Sequence, residues 1–113
     1  MRFRAEIEAM LDPRKWPIEW VDAGIADGSI KLLENDTAII GIERRRYPGG
    51  LVELHGVFAA GDLSGIFELI DLAVVVAREA GCDCAAVSSR PGWAKVLKTR
   101  GFLPTQTTIV KEL

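Results

Sequence analysis

Apolar positions fall at helical spacing early in the chain. A short helix is expected over residues 5–11, and Asp12-Pro13 stops it, because proline disfavours helical geometry in the residue before it. Pro17 suits the first turn of a second helix, where its missing N–H does no harm. Ile18, Val21 and Ile25 continue that helix at the right spacing, and Gly28 ends it.

The period then shortens. Residues 29–34, 37–46 and 51–58 read as three strands, separated by the turns Asn35-Asp36 and Tyr47-Pro48-Gly49-Gly50. Such short connections imply an antiparallel meander. Helical spacing returns over residues 66–80, where Ile66, Phe67, Leu69, Ile70, Ala73, Val74 and Ala77 make a broad apolar face. A strand over 83–89, a helix over 91–100 and a last strand over 105–111 complete the pattern. A strand–helix–strand crossover pairs its strands in parallel. The expected fold is therefore α/β (α+β): one domain over residues 1–113, with an antiparallel meander followed by β-α-β-α-β in a mixed sheet and helices on both faces.

The long helix carries a second signal on its outward stripe. Leu72 and Val75 lie between Glu68, Asp71 and Glu79, with Val76 close by. An apolar patch rimmed by charge is the pattern of a contact site, so a homo-oligomer or a protein partner is expected there. The alternative is that the N-terminal helix, with Phe3, Ile7 and Met10, folds back over the stripe.

Composition narrows the class. A chain of 113 residues suits a single core. The formal net charge of −2 argues against a nucleic-acid partner. Arg44-Arg45-Arg46 is the sole basic run, and alternation divides it between the two faces of a strand. It reads as a solvated strand end that deters edge pairing, or as a grip on an anion. The longest apolar run, near Leu69, is broken by Asp71, and the N-terminus lacks the apolar stretch of a secretory signal. Neither membrane insertion nor secretion is expected. Cys82 and Cys84 point the same way along a strand and cannot bond to each other, and His55 is far from them in sequence. No metal site is expected. The cysteines read as small buried hydrophobes in a reducing, cytoplasmic compartment.

The element order resembles that of the GNAT N-acetyltransferase superfamily from about Trp16 onward. Asp36-Thr37-Ala38-Ile39-Ile40-Gly41 is similar to the family's acidic turn and the strand that follows. Lys98-Thr99-Arg100-Gly101-Phe102 resembles its helix ending in Gly-Phe. The segment Ser89-Arg90-Pro91-Gly92-Trp93-Ala94-Lys95-Val96-Leu97 looks like small GNAT-like proteins of tailed phages and prophages, some of which resemble virion components. The resemblance implies two alternatives. One is acetyl-coenzyme A-dependent acyl transfer to an amine. The other is a non-catalytic interaction component of host cytoplasm or virion.

The chain also departs from the family pattern. It shows no strand ahead of the first helix. The family's pyrophosphate loop runs Arg or Gln, two residues, Gly, one residue, then Gly or Ala. With Gly61 as the first glycine, Phe58 stands where Arg or Gln belongs and Leu63 where the last small residue belongs. Leu97 stands where the family often has a tyrosine that protonates the departing thiolate. The cofactor-contacting set implied by the resemblance is Phe58, Ala59, Ala60, Gly61, Ser64 and Gly65. Weak or no coenzyme A binding follows from the acidic, degenerate loop. A tight strand-to-helix turn capped by Asp62 or Ser64 is the plainer reading of the same residues.

Glu53 and His55 share one face of the third strand. The family often places a carboxylate here to take a proton from the amine, which makes Glu53 the first candidate base and His55 the second. Otherwise both decorate a solvated face. Trp16 and Trp20, four apart on the second helix, either line a substrate cleft or join the core.

Overall fold

In the computed structural model, which describes residues 1–89, 91–106 and 108–113, two short helices precede the sheet. They are α1 (Arg4–Met10) and α2 (Ile18–Asp27). The meander follows as β1 (Ile30–Glu34), β2 (Ala38–Arg46) and β3 (Val52–Gly61). Then come α3 (Leu63–Glu79), β4 (Cys84–Val87), a 3-10 turn over Pro91–Trp93 and α4 (Ala94–Lys98). The strand order is β1-β2-β3-β4. The first three strands pair antiparallel and β4 joins β3 in parallel, as the crossover rule requires.

Both faces of the sheet are covered, which is why β2 opens with an unbroken apolar run. Ala38, Ile40 and Ile42 pack with Ile66, Leu69, Ile70 and Ala73 of α3 in one core. Ile39, on the other face, packs with Ile7, Val21, Ile30 and Phe58 beneath α1 and α2. Fully burying an Ile or Leu side chain stabilises the fold by about 1.5–3 kcal/mol. Gly41 is a packing requirement, since a Cβ there would fall within the ring of Phe58.

Four expectations are corrected. No strand follows β4 among the described residues, so the one expected over 105–111 is not formed there. Adjacent Ile109 and Val110 are the only large apolar side chains of that stretch, and in a strand they would face opposite ways. They are instead 91% and 68% exposed. The loop expected over 59–65 shrinks to Asp62, because β3 runs on to Gly61 and α3 starts at Leu63. The helix expected over 91–100 divides into the 3-10 turn and α4, and α2 begins at Ile18, leaving Trp16 ahead of it. Arg90, in the phage-like segment, and Thr107, in the expected last strand, lie outside the described residues.

The N-terminal helix does not cover the outer stripe of α3. Ile7 packs on the opposite face of the sheet, and Leu72 and Val75 are 45% and 46% exposed. Among the described residues no helix is long and apolar enough to cross a membrane.

Candidate functional site

The parallel pairing of β3 with β4 is short. It runs from Glu53 opposite Cys84 to Gly56 opposite Val87. Just beyond, β3 carries a bulge: Ile42 pairs with Gly56 and Gly41 with Phe58, so Val57 is the extra residue. A bulge bends its strand and leaves the extra residue's backbone out of the ladder. The two strands part here, and two cavities open.

The first cavity, about 260 Å³, is largely apolar: Ile40, Ile42, Leu54, Ile70 and Trp93 wall it on the α3 side, and Glu6 and Met10 of α1 also line it. The second, about 370 Å³, is lined by Lys15, Trp16, Trp20, Arg45 and His55. Alternation along β2 and β3 puts these two groups of strand residues on opposite faces of the sheet. Gly56, Val57 and Ser88 line both cavities, so the two lie side by side at the parting strands.

Glu53 and His55 sit on the second face. Glu53 is buried, and its Oε2 accepts the Tyr47 hydroxyl at 3.1 Å and lies 3.0 Å from His55 Nδ1. A carboxylate only accepts, so His55 donates from Nδ1 and keeps the Nε2 lone pair free. Burial, reinforced by the Arg45 charge, holds the imidazole below its ordinary value of 6.5 against the opposing pull of Glu53. The ring is therefore neutral near pH 7, oriented, and able to take a proton at Nε2. Glu53 lines neither cavity, whereas His55 lines the second.

Arg45 stands opposite Glu53 on β2 and donates from Nε to Glu43 at 2.6 Å. The Trp16 and Trp20 rings lie 4.9 Å apart, centre to centre, tilted by 45°. Tyr47, Lys15 and Ser88 were not singled out by sequence reasoning. Tyr47 reaches Glu53 only because the intervening turn reverses the chain, and spacing carries no sign of that contact.

The start of α3 offers a poor seat for a pyrophosphate. Asp62 caps the helix, its Oδ1 accepting the Gly65 N–H at 2.6 Å and the Thr37 hydroxyl at 3.2 Å. The Gly61 N–H donates to Glu6 at 3.3 Å. Two carboxylates thus already occupy amides that a phosphate would need, at the helix end where the dipole favours negative charge. The glycines answer to packing: a Cβ on Gly61 would run into the Thr37 carbonyl, and one on Gly65 into the Thr37 hydroxyl. Phe58 is buried under α1 and α2, Ala60 lies beside it, Ala59 faces the first cavity, and Ser64 is exposed on the first turn of α3.

Leu97 is 4% exposed within the core and supplies no proton. Cys82 and Cys84 are unbonded and half-buried, and burial pushes the Cys84 thiol up, which disfavours the nucleophilic thiolate.

Comparison with known proteins finds no matching family model and no curated relative by sequence. Solved structures do match. A GCN5-related N-acetyltransferase from Ralstonia eutropha JMP134 is 21% identical with a TM-score of 0.69, over 93% of this chain and 76% of that one. A predicted acetyltransferase with acetyl-CoA from Clostridium acetobutylicum is 16% identical with a TM-score of 0.66, over 95% and 79%. Glucosamine-6-phosphate N-acetyltransferase from Arabidopsis thaliana is 9% identical with a TM-score of 0.66, over 95% and 86%. The chain has the fold of the GNAT acetyltransferases.

Proposed function

We propose that this protein transfers an acyl group from a thioester to an amine across the parting of β3 and β4. The observation that carries the reading is the carboxylate-oriented His55 on a cavity that shares Gly56, Val57 and Ser88 with a largely apolar one. Acetyl-coenzyme A, which the fold implies, would supply the activated acyl group. Its acyl-bearing arm suits the apolar cavity. Its pyrophosphate does not suit the start of α3, where Asp62 and Glu6 already hold the amides. The donor is therefore gripped by its arm rather than by its phosphates.

On this reading the division of labour between the two sequence candidates is reversed. His55 Nε2 takes the proton that the amine sheds as its nitrogen bonds to the acyl carbon and the carbon–sulfur bond breaks. Glu53 fixes the tautomer and the plane of the ring and does not touch the amine. The departing sulfur receives its proton from solvent, since Leu97 has none to give. The test is amine-dependent release of free thiol from acetyl-coenzyme A and from acetyl-pantetheine, with the acylated amine identified by mass. Release from both supports the proposal; release from neither, over a broad amine panel, contradicts it.

A second reading is a non-catalytic interaction component, of the phage virion type that the Ser89-to-Leu97 segment resembles. It rests on the exposed Leu72 and Val75 of α3 and on the occupied amides at that helix's start.

A further inference from the structure

We infer that the acyl acceptor is an aliphatic amine that carries both an aromatic ring and a carboxylate, the chemistry of an aromatic amino acid. This rests on the preceding reading of the second cavity as the acceptor side. Three features of its wall select that class.

The first is the indole pair. Trp16 and Trp20 present adjoining, mutually tilted aromatic surface, and Trp16 remains 39% exposed although it is large and apolar. A flat apolar body fits such a wall, because aromatic rings gain from offset or tilted contact beyond the area they bury. The second is charge. Among the described residues, both charged side chains on the lining, Lys15 and Arg45, are cations. Glu43 holds the Arg45 guanidinium by Nε and offsets part of its charge without itself lining the cavity. A carboxylate is drawn to this wall, and a polyamine is repelled by it. The third is reactivity. An amine attacks only when unprotonated, and nearby cations disfavour its charged form. The wall that binds the acceptor's carboxylate therefore also readies its nitrogen.

Size agrees. A cavity of about 370 Å³ holds one amino-acid-sized ligand and falls in the range of small-molecule sites. A ring against the tryptophans and a carboxylate toward Lys15 and Arg45 leave the amine for His55, which lines the cavity beside Gly56, Val57 and Ser88.

The experiment reads binding without turnover. Trp93 lies on the other cavity, so Trp93→Phe leaves Trp16 and Trp20 as the only fluorescent indoles. Four probes are titrated: L-phenylalanine, 2-phenylethylamine, L-alanine and spermidine. L-phenylalanine should change the emission with a dissociation constant at least about tenfold below those of the amine without a carboxylate and the acid without a ring, as expected for one hydrogen-bonded charge contact. Spermidine should not bind. Lys15→Gln with Arg45→Gln should erase the preference for L-phenylalanine over 2-phenylethylamine, and Trp16→Ala, at an exposed position, should weaken both. Equal or tighter binding of 2-phenylethylamine or spermidine overturns the inference, as does no binding of L-phenylalanine. If L-phenylalanine binds as expected but is never acylated, the acyl-transfer proposal fails while this assignment of the cavity stands.

Discussion

Glu53 Oε2 lies 3.0 Å from His55 Nδ1, two residues along the same strand and on the same face of the sheet. The contact makes one residue the orienter of the other. Glu53→Gln keeps an acceptor for Nδ1–H but removes a charge that raises the imidazole's proton affinity. The acidic limb of the pH–rate profile should therefore move to lower pH, with a smaller loss of turnover than removal of the imidazole causes. An unshifted limb would show that Glu53 does not act through His55.

The same group links folding to pH. Burial lowers the folded His55 below its ordinary 6.5, so between that lowered value and 6.5 the unfolded chain binds the extra proton. Stability from this group is complete above about pH 6.5 and falls as pH drops toward the lowered folded value. Urea midpoints should decline over this range in the wild type and decline less in His55→Gln.

The acidic start of α3 should cost the protein affinity for coenzyme A. Acetyl-coenzyme A is expected to bind no more than about tenfold tighter than acetyl-pantetheine in calorimetry. Asp62→Asn with Glu6→Gln should widen that gap, because it removes two negative charges from the helix end. A gap of a thousandfold in the wild type would mean that the phosphates are held after all.

The outward stripe of α3 should mediate self-association. Leu72 and Val75 are nearly half exposed among charged neighbours, and α1 packs elsewhere. Light scattering is expected to show an oligomer that Val75→Glu dissociates, leaving a monomer with unchanged circular dichroism. A wild-type monomer at high concentration would remove this contact.

Gly41→Ala tests the packing under the parting strands. The added methyl collides with the Phe58 ring on the adjacent strand, and overpacking of this kind costs about 1–3 kcal/mol. An unchanged urea midpoint would show that the ring moves aside freely.

Much of the fold was legible because periodicity is local. Ile66, Leu69, Ile70 and Ala73 announce the buried face of α3, and the crossover between β3 and β4 fixes their parallel pairing. The expected last strand does not form among the described residues, because a run rich in Thr, Ile and Val reports strand propensity but not whether a face exists to bury it. The glycine loop was misread for a similar reason. Gly61 and Gly65 mark close approach, and sequence does not tell that the approaching group is Thr37 rather than a phosphate. At the site, strand spacing puts Glu53 and His55 on one face, and the resemblance to the GNAT family makes them candidate bases. Their order of action depends on Tyr47, on burial and on which side chain reaches the cavity, and all three are tertiary facts.

The most direct test is the rate of amine-dependent thiol release by wild type and His55→Gln across a pH series. Wild type should turn over, with a rate that falls as His55 gains its proton below neutrality. His55→Gln should be about 10²–10⁴-fold slower where the imidazole is neutral and should lose that acidic limb. Equal rates and matching pH profiles in the two proteins would contradict the proposal that His55 takes the proton from the amine.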